Sequence, residues 1–181
     1  TISSANMAIG TSLKSSKNNK ETIVSIFVNP TQFDQKKDFK NYPRNIRKDI
    51  SILKKLKVNY LFLPEVNEIY KNKIKNFKLN KSDKILCAKY RIGHFEGVLN
   101  VMNRLLSIVK SKHVYMGEKD FQQYMLIKRI LGKKYKINIV GCPTIRENNK
   151  IALSTRNKLL NKSYIKKASK IAIKLDKIKR L

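Results

Sequence analysis

The sequence predicts an α/β protein built on a mainly parallel sheet flanked by helices. Three observations predict it. Short apolar runs recur at 22–28 (TIVSIFV), 58–63 (VNYLFL), 113–116 (HVYM) and 137–140 (INIV). Between them lie segments whose apolar residues return at helical spacing. The apolar runs are also nearly continuous rather than alternating, which suits parallel strands covered on both faces. Strands that alternate with helices form βαβ units with right-handed crossovers.

In chain order, residues 1–20 are polar without a sustained period and read as a degenerate or poorly ordered N-terminal segment. The first strand, 22–28, ends at Asn29-Pro30. A polar connection with two prolines follows at 29–44 (NPTQFDQKKDFKNYPR), a length that favours function over an idle turn. Ile46, Ile50, Leu53 and Leu56 then share one face of a helix over 45–56. The second strand, 58–63, stops at Pro64, and 65–70 makes a short helical turn. Residues 71–90 are lysine-rich, with strand-like pieces at 77–79 and 85–87. RIGHF (91–95) opens a long helix with Val98, Val101, Met102, Leu105, Leu106 and Val109 on its apolar face. The third strand, 113–116, leads to a helix over 121–131, and the fourth strand, 137–140, to a turn at Asn148-Asn149. The tail, 161–181, is a lysine-rich amphipathic helix with Ile165, Ala168, Ile171, Ile173 and Leu175 on its apolar side. The plan is one α/β domain over 21–160 followed by that helix.

At 181 residues and 41% hydrophobic, the chain suffices for one globular domain. No apolar run approaches a membrane span, and the N-terminus lacks the charged start and apolar block of a signal peptide. The net charge is +29, from 41 basic and 12 acidic residues. Such an excess points to nucleic acid or an anionic membrane surface. Here it is mostly lysine, dispersed along the chain, and Lys, Asn and Ile all have AT-rich codons, so base composition explains it better. A basic nucleic-acid-binding protein stays as an alternative, weakened by the lack of an aromatic-studded basic strip. Cys87 and Cys142 give no disulfide framework or metal cluster; both are expected as buried small residues in a reducing cytoplasm.

In open parallel sheets, ligands bind beyond the carboxyl ends of the strands. Three polar segments fall there: 29–32, 117–123 and 144–156. The segment HVYMGEKDFQQ (113–123) runs strand, glycine, acidic-basic turn, helix. Free N–H groups at such a helix start favour an anion, and Lys119 adds a mobile positive charge. Taken alone, the segment also fits a plain turn in which Asp120 caps the helix and Lys119 is solvated.

Together, SIFVNPTQF, Tyr42-Pro-Arg44, RIGHFEGV, GEKDFQQ and GCPTIRE followed by ALSTRN resemble the pantothenate synthetase (pantoate–β-alanine ligase) family, in order, from 23 to 160. The resemblance implies a Rossmann-like nucleotidyltransferase fold, usually dimeric and cytoplasmic, in which 21–160 is the nucleotide-binding domain. It implies condensation of pantoate with β-alanine through a pantoyl adenylate, with ATP and Mg2+. It implies ATP contacts from Gly117, Glu118, Lys119, Asp120, Ile145, Leu153, Ser154, Thr155 and Arg156, with Ile145 beside the adenine or ribose. Gln32 and Gln123 would hold pantoate, with Asn29 close by. His94 is expected to shape the pocket rather than act as an acid, and His113 to be structural.

Two differences from the family carry expectations of their own. Its histidine–any–glycine–histidine signature has no counterpart at 6–13 (NMAIGTSL), where Gly10, Ser12 and Leu13 are the remains and both histidines are absent. The family's first strand and its small C-terminal domain are likewise not found, and Thr155 replaces a usual serine. No catalytic residue is therefore assigned. Losing one donor to a developing phosphate charge costs on the order of 10²–10³ in rate. The expectation is a chain that binds pantoate or nucleotide weakly and synthesises little, a remnant of the ligase in the extreme.

Overall fold

The computed structural model describes residues 21–33, 39–42, 45–71 and 76–178; the expected N-terminal segment 1–20, with Gly10, Ser12 and Leu13, lies outside them, as do Pro43 and Arg44. β1 (Ile23–Ser25) pairs in parallel with β2 (Tyr60–Phe62), Val24 opposite Leu61. The ladder continues one residue further through Ile26 N–H to Phe62 O at 3.0 Å. β3 (His113–Gly117) pairs in parallel with β4 (Asn138–Cys142), Tyr115 opposite Val140. The α/β class and the parallel pairing are those the sequence predicts. Among the described residues, however, the strands form two separate pairs rather than one continuous ladder.

Between the strands, the helices over 46–55, 94–109 and from 121 onward form where the spacing placed them. α1 (Ile46–Lys55) starts at Asn45, whose Oδ1 accepts from Lys48 N at 3.1 Å, and carries Asp49 early and two lysines late, as its dipole favours. Its buried Leu53 packs on Val24. α2 (Val66–Tyr70) is opened by a reciprocal Glu65–Glu68 capping box. α3 (Cys87–Tyr90) is a single turn. α4 (His94–Val109) is the central element. Phe95, Val98, Leu99, Val101, Met102, Leu105 and Leu106 are all buried on it, in one cluster with Met116, Ile127, Leu131 and Ile139. α5 (Phe121–Ile127) runs through a π turn at Lys128–Gly132 into α6 (Lys133–Tyr135). The expected stop at Leu131 is therefore four residues early. Gly132 keeps a helical φ of −56°, and the chain breaks instead at Lys136, at φ 51°.

Other expectations need correction. β1 and β2 are shorter than the apolar runs and not covered on both faces, since Ile23 and Tyr60 are about half exposed. Neither 77–79 nor 85–87 is a strand. Phe77 N–H donates to Asn100 Oδ1 at 2.7 Å, and Leu86 turns the chain at φ 50°, ψ −127°. That turn swings Cys87 outward, so it is exposed, whereas Cys142 is buried as expected. The C-terminal helix, α7 (Lys162–Ile178), buries no residue. It meets the body through half-buried Ile165, Ala168, Ser169 and Ala172, with Ser169 Oγ–H donating to Asn149 O at 2.8 Å, while Ile171, Ile173 and Leu175 are exposed. Among the described residues no helix is long and apolar enough to cross a membrane.

Candidate active site

The three polar segments follow β1, β3 and β4, and direct contacts tie them together. After β1, Asn29 caps a 3-10 turn, Pro30–Gln32, by accepting from Thr31 N at 3.2 Å. Asn29 is itself buried: Oδ1 also accepts from Thr31 Oγ1 at 3.0 Å and Tyr70 Oη at 2.6 Å, and Nδ2 donates to Gly97 O at 3.3 Å. Its hydrogen bonds thus serve the turn and its supports. Gln32 is half-buried, and its carbonyl lies 2.8 Å from His94 Nδ1. A carbonyl only accepts, so that nitrogen carries the hydrogen. His94 thus holds the Gln32 turn from α4.

Gly97 explains how this turn reaches α4. A Cβ there would overlap the Thr31 carbonyl oxygen and lie 3.0 Å from both its carbonyl carbon and its Oγ1. Only glycine lets backbone meet backbone so closely. A glycine inside an otherwise strong helix was the signal for this contact, and sequence reading passed over it.

After β3, Gly117 pairs with Cys142 at the end of the ladder with φ −71°, ordinary extended backbone. A 3-10 turn, Glu118–Asp120, then leads into α5. Asp120 occupies the capping position without a side-chain capping bond, so the plain reading of it as a cap does not hold. Glu118 folds back over β4, where a Cβ on Gly141 would come 2.5 Å from its Oε1. The exposed Lys119 Nζ donates to Leu153 O at 2.9 Å. Gln123, on the first turn of α5, is half-buried, and its side chain has no hydrogen-bond partner among the described residues. Its neighbour Gln122 is committed: Nε2 donates to Ile85 O at 2.8 Å and Oε1 accepts from Cys87 N at 3.0 Å, clamping the Leu86 turn.

After β4, 145–153 folds back on itself. Leu153 N–H donates to Ile145 O at 3.0 Å, Arg146 and Ala152 form an antiparallel bridge, and Asn149 Oδ1 takes Ile151 N–H at 3.0 Å. Ile145 is partly exposed at the mouth of this hairpin. Ser154 then caps a 3-10 turn, Thr155–Leu159, accepting from Arg156 N at 3.3 Å. The Thr155 side chain is outside what the structure describes. Arg156 is exposed, with its guanidinium carbon 5.8 Å from the centre of the Tyr42 ring. Tyr42 in turn meets Phe33, next to Gln32, edge to face at 5.5 Å.

So the segments form one connected surface. Lys119 joins the β3 and β4 loops; Arg156, Tyr42 and Phe33 join the β4 loop to the β1 loop. Two of its cations, Lys119 and Arg156, make these junctions, and the carboxylates of Glu118 and Asp120 flank Lys119 in sequence. Lys119 has three donors, so its bond to Leu153 leaves two for an anion. Among the described residues no group of three or more His, Cys, Asp or Glu is placed to hold a metal.

The sequence and the fold both have relatives. The family model for pantoate-beta-alanine ligase matches residues 11–180. A pantothenate synthetase from Sulfurihydrogenibium sp. is 40% identical over 169 residues, 92% of this chain and 60% of that protein. A bifunctional pantoate ligase/cytidylate kinase from Prochlorococcus marinus is 40% identical, over 91% of this chain and 33% of its own length. A crystal structure of pantoate-beta-alanine ligase from Francisella tularensis, complexed with beta-gamma ATP and beta-alanine, superposes with a TM-score of 0.86 at 41% identity, covering 94% of this chain and 66% of that one. Pantothenate synthetase from Thermus thermophilus gives 0.84 at 32% identity, covering 91% and 60%. The chain spans about three fifths of the length of the pantothenate synthetases it matches. With a family model over nearly its whole length, the chain belongs to the pantoate-beta-alanine ligase family.

Proposed function

We propose that this chain carries the ATP and pantoate sites of a pantothenate synthetase, which condenses pantoate with β-alanine through a pantoyl adenylate. The observation that carries the assignment is the contact set joining Lys119, Leu153, Arg156, Tyr42 and the Gln32 turn into one surface in a chain of this family. The pantoate carboxylate attacks the α-phosphorus of ATP; a P–O bond forms and pyrophosphate leaves. The β-alanine amine then attacks the acyl carbon, the acyl–oxygen bond breaks, and AMP departs. Lys119 and Arg156 neutralise phosphate charge, which is greatest as the α-phosphate is attacked. Ser154 offers a hydroxyl beside Arg156, and Thr155 is assigned to ATP by the resemblance alone; Glu118 and Asp120 flank Lys119, and Ile145, Leu153 and Gly117 border the nucleotide. Gln32 and Gln123 orient pantoate, and neutral amides leave its carboxylate nucleophilic. Asn29 acts from beneath, through the turn. No covalent enzyme intermediate is needed; placement supplies much of the rate.

Mg2+ fits as part of the substrate, riding on the ATP phosphates and neutralising them, since the described residues offer no cage of their own. The working form is a homodimer in the cytoplasm, as in the family.

A second reading is favoured by one feature: residues 6–13 (NMAIGTSL), where the resemblance places the family's histidine pair, hold no histidine. It is a chain that binds both ligands and turns over little. Pantoate-dependent exchange of labelled pyrophosphate into ATP separates the two. Exchange supports the ligase. Binding of both ligands without exchange supports the second reading, and binding of neither overturns both.

A further inference from the structure

We infer that Tyr70 and Arg104 are positioning residues for pantoate: a buried guanidinium stacked on the Tyr70 ring fixes the Asn29 amide, and through it the turn that carries Gln32. The inference rests on the proposed assignment of Gln32 to pantoate. Arg104, on α4, is only 6% exposed in a chain whose other charges are mostly at the surface. Its guanidinium carbon lies 4.7 Å from the centre of the Tyr70 ring, and its Nε and Nη1 have no hydrogen-bond partner among the described residues. A buried cation without a carboxylate is costly, so its retention calls for a role beyond filling space. What faces it is the π surface of a phenol. A cation on that face draws electron density from the ring and strengthens the O–H as a donor. The Tyr70 hydroxyl makes a short bond, 2.6 Å to Asn29 Oδ1, and lies 3.2 Å from Thr31 Oγ1.

Asn29 relays the effect. Its Oδ1 also receives Thr31 N–H and Oγ1–H, one residue before Gln32, and its Nδ2 grips Gly97 O on α4. With His94 on the Gln32 carbonyl, the turn is held from α2 and from two points on α4 before any ligand arrives. A turn fixed in advance loses less entropy when it binds. This network shares no residue with the Lys119–Leu153 bond or the Arg156–Tyr42 contact. Disturbing it therefore separates pantoate from ATP.

The test titrates the chain with pantoate and, separately, with ATP by calorimetry. Tyr70→Phe keeps the ring beneath Arg104 and removes one donor; Arg104→Lys keeps the charge and loses the planar stack. Tyr70→Phe is expected to weaken pantoate binding about 3- to 10-fold, the worth of one hydrogen bond, with ATP affinity changed less than about twofold. Arg104→Lys shifts the same way by less, and Thr31 N–H exchanges faster with solvent in both. Should Tyr70→Phe fail to fold, Arg104→Lys carries the same split. Unchanged pantoate affinity, or equal losses for pantoate and ATP, overturns the inference while leaving the ligand assignment intact. Failure of the unaltered chain to bind pantoate overturns both, and shows before any substitution is made.

Discussion

Replacing Gly97 by alanine sets two effects against each other. In a helix interior the change gains about 1 kcal/mol from propensity alone. Here the added methyl would overlap Thr31 O and sit 3.0 Å from two further Thr31 atoms, two of the three being backbone. The Pro30–Gln32 turn must then move off α4. Overpacking of this kind costs roughly 1–3 kcal/mol, and the Asn29–Gly97 and His94–Gln32 hydrogen bonds are worth about 0.5–1.5 kcal/mol each. Sterics win, and the net loss is about 1–3 kcal/mol, or roughly 2–12 °C in Tm for a chain of this size. Gly132→Ala is the internal control, because its methyl would meet Ile139 Cγ1 at 3.4 Å and Ile137 O at 3.5 Å, ordinary contact distances. It is expected to leave stability unchanged or raise it by up to about 1 kcal/mol. Thermal and urea unfolding followed by far-ultraviolet circular dichroism reads both. An equal or higher Tm for Gly97→Ala would refute the claim that backbone proximity demands this glycine.

Three further outcomes follow from local geometry. Leu86→Gly should stabilise the chain by about 0.5–2 kcal/mol in urea unfolding, because φ 50°, ψ −127° strains a leucine and this one is 70% exposed. Burial, outweighing the Thr31, Arg104 and Asn29 contacts, holds the Tyr70 phenol above its ordinary 10.0. Its folded pKa is raised, so its stabilising contribution is complete below pH 10.0 and lost as pH rises through the folded value; urea midpoints should fall more steeply above that pH for the unaltered chain than for Tyr70→Phe. In the native chain a thiol reagent should label exposed Cys87 rapidly and buried Cys142 only at the rate of opening, which a Cys87→Ser variant would confirm by losing the fast phase.

What sequence made legible was what depends on neighbours along the chain. The apolar periods of α4 and α1 both lie within a helical turn of the residues they organise, and both helices are found where expected. The β3–turn–α5 order around Lys119 is equally local. The pieces at 77–79 and 85–87 depart from the strands expected of them because distant residues shape them. Asn100 takes the Phe77 amide, and Gln122 clamps both sides of Leu86 from 35 and 37 residues away. Asn29 is hydrogen-bonded to Tyr70 and Gly97, 41 and 68 residues off, and no local pattern around NPTQ announces those partners. The exposure of Ile171 and Leu175 on α7 was equally unreadable, since a helical period gives an apolar face but not which part of it meets the body.

The most direct test of a shared ATP and pantoate site is a pair of calorimetric titrations on the chain, Lys119→Ala and Gln32→Ala. Lys119→Ala should weaken ATP binding by about 10- to 100-fold, the worth of a charge-assisted bond to phosphate, and leave pantoate nearly untouched; Gln32→Ala should do the reverse. Absence of binding by the unaltered chain, or the same loss of both ligands in both variants, would contradict a site divided between Lys119 and Gln32.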